Sequence, residues 1–313
     1  MELLFLGTSS GTPTKHRNVS SLTLMESKGK GWFMIDVGEG TQHQLQHTKL
    51  SFKNLKGIFI THIHGDHCYG LPGLLASAGM SGRKEPLNII APQGVKKWFT
   101  ILKETTQLFL PFEIKFIDVE NMTKTTFGEY EVTTIEMSHR VPSYAYIFKS
   151  IITDVILNND KLKSLGIKPG PIWGKLKNGE DVEYNNTTLL SKDFIEISTE
   201  TKTTVVCGDN DNPKLLESIS DECDILVHES TYTKDVAEKI GRDVGHCDAA
   251  LIATYAENFS IPNLILTHFS PRYDSNSIHL IENEASNLYS GNLFIANDFA
   301  KYKLDKNKKL VCE

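Results

Sequence analysis

Paired cysteines are missing from this chain. Cys68, Cys207, Cys223, Cys247 and Cys312 make an odd number with no C-x-x-C pair, which excludes a disulfide framework and a thiolate zinc knuckle of the usual spacing. Long apolar runs are missing too, so no window approaches a membrane span. The N-terminal Met1-Glu2-Leu3-Leu4-Phe5-Leu6-Gly7 lacks the length and basic flank of a secretory leader, and a cytoplasmic protein with no membrane role is expected. No low-complexity linker divides the 313 residues, which points to one domain with a sizeable core. Basic charge is in deficit as well. The net charge of −6 speaks against a nucleic-acid partner as a sum, although such binding depends on a local basic surface.

What is present is ordinary in amount, 40% apolar and 23% charged, and ordered in pattern. Short β-branched or aromatic runs are spaced along the chain: Leu3–Leu6, Ser21–Met25, Trp32–Asp36, Ile58–Ile60, Leu87–Ile90, Ile114–Val119, Tyr130–Ile135, Tyr144–Phe148, Thr203–Cys207, Ile225–Val227, Asn263–Leu266 and Leu293–Ala296. Helical periodicity falls at about Leu71–Ala78, Gly94–Thr106, Asn212–Ser218, Ala249–Glu257 and Ser277–Leu288, and the reading is an α/β protein richer in strands than in helices. Residues 149 to 200 break the rhythm with Pro169-Gly170-Pro171 and the polar stretch "NGEDVEYNNTT". They read as an insertion projecting from the domain, with no strong strand or helix over its second half. From Lys149 to Lys177 the insertion holds six lysines against Asp154 and Asp160.

The stretch "ITHIHGDHCYGLPG", residues 60 to 73, follows an apolar run and sets His62, His64, Asp66 and His67 around Gly65. One histidine alone is ordinarily a solvated or hydrogen-bonded side chain. Gathering imidazoles and a carboxylate as H-x-H-x-D-H without a cation would incur charge and desolvation costs, and imidazole with carboxylate is a donor set that suits zinc. The grouping suggests two metals. Other runs also end on potential ligands: "TTVVC" leads into Gly208-Asp209-Asn210, "DILV" into His228-Glu229 and "NLILT" into His268. Sites in open α/β sheets tend to form at such strand ends. His139, in "EMSHRVPSYAY", carries no such mark.

H-x-H-x-D-H after a strand is the signature of the metallo-β-lactamase fold, an αββα sandwich. The stretches "FLGTSSGTPTKHRN", "DVGEGTQHQL", "ITHIHGDHCYGLPGLL", "PGP", "VHEST" and "LTHFSPRY" together resemble short-form ribonuclease Z, the tRNA 3′-processing endonuclease family, over essentially the whole chain. The resemblance implies an αββα domain over residues 1 to 313 with an exosite insertion at about 150 to 200. It implies two zinc ions per subunit, with manganese or another divalent metal as a substitute. His62, His64 and His139 would hold one ion, Asp66, His67 and His268 the other, with Asp209 bridging. Asp66 would serve as general base, and Glu229 with His246 would protonate the leaving oxygen. Here the chain departs from the family, in which a small hydroxyl residue usually follows this histidine and "GDT" is commoner than "GDN"; Cys247, Asp248 and Asn210 stand at these positions. His228 is read as structural or supporting.

The resemblance extends to recognition. In "TPTKHRN", Lys15 and Arg17 would meet phosphates while Asn18 shapes the loop; without the resemblance this is a solvated basic loop. The basic insertion, with Gly170 and Pro171 matching the family arm's glycine-proline motif, would grip precursor tRNA by shape rather than sequence. A homodimer, the arm of one subunit serving the site of the other, is implied likewise. The resulting expectation is removal of the 3′ trailer from precursor tRNA, leaving a 3′-hydroxyl on the tRNA and a 5′-phosphate on the trailer. The competing readings are a 3′ exoribonuclease or general phosphodiesterase on the same site, a small-molecule hydrolase such as a glyoxalase-type thioesterase or a lactamase, and a catalytically silent RNA-binding subunit.

Overall fold

Burial patterns follow directly from the apolar runs. Ile225–Glu229 is buried at every position, as a central parallel strand covered on both faces requires, and Leu71–Met80 buries Leu71, Leu74, Leu75 and Ala78, a single stripe at helical spacing. In the computed structural model, which describes residues 1–313 apart from the side chain of Arg242, the chain divides into two compact units. One joins Met1–Lys149 to Lys202–Glu313, and the other is Ser150–Thr201.

The larger unit holds two sheets. The first has eight strands in the order Leu310–Cys312, Lys301–Leu304, Glu2–Gly7, Ser21–Met25, Trp32–Ile35, Leu55–Phe59, Leu87–Ala91 and Ile114–Asp118. The second has seven, in the order Asn292–Ile295, Asn263–Thr267, Ile225–Glu229, Ile195–Val206, Ser143–Leu157, Tyr130–Met137 and Thr125–Phe127. Phe5, Phe33 and Phe59 of the first sheet pack against Tyr146, Phe148 and Ile265 of the second to form the central core. A second apolar layer puts the helices Leu71–Met80 and Gln93–Thr105 on the outer face of the first sheet. A third puts Ala249–Asn258 and His279–Ser286 on the outer face of the second. This is the αββα sandwich.

Ser150–Thr201 has a core of its own, made of Leu162, Ile167, Leu176, Leu189 and Phe194. Its second half is not irregular, contrary to expectation. Val182–Tyr184 pairs with Thr187–Leu189 in an antiparallel hairpin. Asn185 and Asn186 take positive φ of 50° and 62° at its turn, the left-handed pair a type I′ hairpin needs, and asparagine tolerates that conformation better than most residues. Gly170 precedes Pro171, the first residue of the helix Pro171–Lys177, a position where a missing N–H costs nothing. The helical stretch expected at Asn212–Ser218 is instead 3₁₀ over Pro213–Glu222.

Candidate metal centre

Ligand-type side chains collect where the strands of both sheets end. His62, His64, Asp66 and His67 follow Leu55–Phe59 of the first sheet, with Asp66 and His67 inside a short helix, Gly65–Cys68. From the second sheet, His139 follows Tyr130–Met137, Asp209 follows Ile195–Val206, and His268 follows Asn263–Thr267. One group of mutually close ligand atoms comprises His62, His64, His139 and Asp209; another comprises Asp66, His67 and His268. The two groups share Asp209 through its separate oxygens. Oδ2 lies 3.6 Å from His62 Nε2 and 3.7 Å from His139 Nε2, while Oδ1 lies 3.4 Å from both His67 Nε2 and His268 Nε2. Asp66 Oδ2 is 3.3 Å from His268 Nε2.

Whether these residues suit a cation is decided by where the protons are, inferred from the hydrogen-bond network. His67 Nδ1 donates to Asp36 Oδ2 at 2.7 Å, and His139 Nδ1 donates to the Gly245 carbonyl at 2.7 Å. Thr61 Oγ1 gives its hydrogen to Asp36 Oδ2, leaving it to accept from His62 Nδ1 at 3.0 Å. Thr231 Oγ1 gives its hydrogen to Glu229 Oε2, leaving it to accept from His268 Nδ1 at 3.0 Å. Each of these four rings therefore turns an unprotonated Nε2 inward. The contact of His67 Nε2 with His268 Nε2 at 3.2 Å brings two lone pairs together. Such a set lacks only positive charge, and the donor chemistry fits a pair of divalent ions. The same deficit shows in His67: burial disfavours its protonated form, yet Asp209, Asp66 and Asp36 raise its pKa well above the usual histidine value.

Asp66 shows the converse. Burial would raise its pKa, but His67 and His268 hold the carboxyl well below the usual carboxylate range, and its Oδ2 also accepts from the Gly11 backbone N–H at 2.7 Å. Beside the cluster, His246 Nδ1 sits 3.2 Å from both oxygens of Glu229. Burial lowers the pKa of His246, and the Glu229 carboxylate more than compensates, raising it to about 9. His246 and Asp66 line one open cleft of about 350 Å³ together with His64, Asp209, Arg140 and Tyr69.

The positions that depart from the family pattern have clear partners. Asp248 caps the helix Ala249–Asn258 by accepting from Leu251 N–H at 2.8 Å, a role in which aspartate equals serine or threonine. Asn210 Oδ1 accepts from Ser138 N–H at 3.2 Å, and its amide donates to His228 Nε2 at 3.0 Å. It thereby ties the Asp209 loop to the segment carrying His139. His228 is buried and kept neutral by desolvation.

Arg17, expected to meet phosphates, is held by the fold on one side. Its guanidinium donates to Thr8 Oγ1 at 2.7 Å, to the Ala296 carbonyl at 2.6 Å and to Asn297 Oδ1 at 2.8 Å, and it lies over the Phe269 ring. These three bonds brace Arg17 and its loop against the fold. Lys15 is exposed. Asn18 shapes the loop, donating from Nδ2 to the Glu39 carbonyl at 2.8 Å. Sequence reasoning missed Asp36, Thr61 and Thr231. Their signal was present, since Asp36 ends an apolar run in "DVGEG" and each threonine adjoins a ligand segment. Asp36 and His268 both take φ of 59°, a left-handed conformation costing non-glycine residues about 1–3 kcal/mol that clusters at functional sites.

Ribonuclease Z of Pseudomonas putida (strain GB-1) is 45% identical over 312 residues, covering 98% of each chain. The crystal structure of human short-form tRNase Z superposes with a TM-score of 0.65 at 22% identity, covering 97% of this chain and 100% of that one. A metallo-β-lactamase fold protein of Bacillus subtilis, YhfI, gives 0.66 at 17% identity over 96% of this chain and 97% of that one. A family model described as the anti-Pycsar protein Apyc1 matches residues 1–167, the segment with His62 to His139 but without Asp209, Glu229, His246 and His268. The chain carries the Apyc1 family's segment over that half and, matched from end to end, belongs to the ribonuclease Z family, the endoribonucleases of tRNA 3′ processing.

Proposed function

We propose that this chain is a dinuclear zinc phosphodiesterase that cuts the 3′ trailer from precursor tRNA, leaving a 3′-hydroxyl on the tRNA and a 5′-phosphate on the trailer. The observation that carries the reading is Asp209, whose two oxygens face two separate groups of inward imidazole lone pairs. His62, His64 and His139 would hold one ion and Asp66, His67 and His268 the other. Two divalent ions so held would lower the pKa of a water and would offset the charge that develops on a phosphodiester in an in-line displacement. Manganese or another divalent ion is the alternative occupant.

The chain's own groups supply the proton transfers. Asp66 Oδ2, kept ionised, takes the proton of the attacking water. As the new P–O bond forms and the bond to the tRNA 3′-oxygen breaks, that oxygen takes a proton from His246 Nε2, whose Nδ1–H stays on Glu229. Cleavage of a 3′-extended precursor by wild type and by Asp66→Ala, read at nucleotide resolution with bound metal counted, tests this. A single cut beside the discriminator base, lost in the variant, is expected. Mononucleotide products from the wild type would replace the endonuclease reading by an exonuclease one.

Substrate grip falls to Ser150–Thr201. Its exposed Lys163, Lys168, Lys175 and Lys177 lie on or between the helices Asn159–Ser164 and Pro171–Lys177, whereas Glu180, Asp181, Glu183, Asp193, Glu196 and Glu200 follow after Asn178. The anion-binding surface is thus the two helices together with the glycine-proline turn, Gly170-Pro171. Replacing these four lysines by alanine is expected to raise KM for precursor tRNA about tenfold or more and to flatten its salt dependence, since fewer counterions are released. Hydrolysis of bis(p-nitrophenyl) phosphate should be unchanged. The protein acts as a homodimer in this reading, so mixing the lysine variant with Asp66→Ala should restore tRNA cleavage; no recovery on mixing would place arm and site in one subunit.

A further inference from the structure

The cleft wall holds an aromatic residue that no step above uses. Tyr69 follows directly on the helix Gly65–Cys68 that carries Asp66 and His67, and it lines the cleft with His64, Asp66, Asp209 and His246. Yet it is 61% exposed, although a tyrosine is amphipathic enough to bury most of its ring. The ring is nonetheless seated. It lies against the Gly65 backbone, where an added Cβ would come within 2.3 Å of Cε2, so the glycine in H-x-H-G-D-H leaves room for this ring. On another side it stacks obliquely on Trp98, with centroids 5.9 Å apart and planes 29° from parallel.

We propose that Tyr69, backed by Trp98, is the stacking platform for a nucleobase flanking the scissile phosphate, an inference that rests on the phosphodiester-cleaving reading of the cleft. A seated aromatic beside a phosphate site offers every base a π-face without demanding sequence. That suits an enzyme acting on many tRNAs with unrelated trailers. A buried structural tyrosine would need the ring covered and its hydroxyl paired; here most of the residue faces solvent.

The test is a cycle between protein and substrate. Tyr69→Leu should raise KM for a 3′-extended precursor about 5- to 100-fold, the range of one lost base stack, while Tyr69→Phe stays near wild type. On precursors with an abasic ribose on one or the other side of the cleavage site, the Leu penalty should vanish for one of the two. Equal penalties on all three substrates would overturn the proposal and make the ring a packing element. Independently of cleavage, the fluorescence of a short single-stranded oligonucleotide carrying 2-aminopurine should be quenched on binding wild type and Tyr69→Phe but not Tyr69→Leu. A wild type that leaves the precursor uncut would remove the nuclease reading, and the quenching would then decide the stacking; equal quenching by Tyr69→Leu would refute it.

Discussion

Asp209→Ala is expected to lower bound metal below two ions per subunit and to reduce precursor cleavage on the order of 10³-fold or more, since several kcal/mol of transition-state charge stabilisation go with the ions. Its two oxygens face the two ligand groups: Oδ2 points at His62 and His139, Oδ1 at His67 and His268. Removing it therefore damages both positions, whereas His139→Ala should weaken one. Metal analysis of the two variants beside wild type makes the comparison. Equal metal content in Asp209→Ala and wild type would refute the bridging role. A folded variant is expected, because this carboxylate is buried among like-minded acceptors rather than in the apolar core, and far-UV circular dichroism would verify that.

The second large effect concerns the proton donor. His246→Ala should cut kcat by about 10²- to 10⁴-fold, the usual contribution of a general acid, while both ions stay bound. Glu229→Gln carries the sharper signature. Burial pulls the His246 pKa down and Glu229 lifts it to about 9, so deleting the carboxylate charge lets the pKa fall. The imidazolium is then lost at lower pH, and the basic limb of the kcat profile should move to lower pH in Glu229→Gln. Bound cations depress the limb in both proteins without reversing their order. An unmoved limb would mean that another group, or solvent, protonates the leaving oxygen.

How much of this could be read beforehand differs from residue to residue. His62, His64, Asp66 and His67 are compressed into one short stretch, and Asp209 and His268 stand where apolar runs stop, so their chemistry is visible locally. His139 is not, because it follows a strand ending in the polar "EMSHR"; the family resemblance points to it, and its approach to His64 at 3.1 Å across 75 positions brings it to the cluster. The anchoring of Arg17 is hidden for the opposite reason. A basic residue in a loop reads as solvated, and nothing local announces the acceptors at Thr8, Ala296 and Asn297. The hairpin at Val182–Leu189 was hidden by its polarity, with the Asn-Asn turn as its one usable sign. Lys301–Leu304 and Leu310–Cys312 escaped likewise: in "KYKL" Tyr302 and Leu304 turn inward while the lysines alternate outward, a half-buried strand that composition alone reads as polar.

The ligands come from the ends of both sheets: His62, His64, Asp66 and His67 from one, His139, Asp209 and His268 from the other. Ions held between them would act as a staple across the sandwich, at a site complete only once the sheets have closed on each other. Such ions would bind the folded chain more tightly than the open one, and resistance to unfolding would then rise with the logarithm of the free ion concentration. Metal supply would govern how long the molecule survives as well as how fast it cuts.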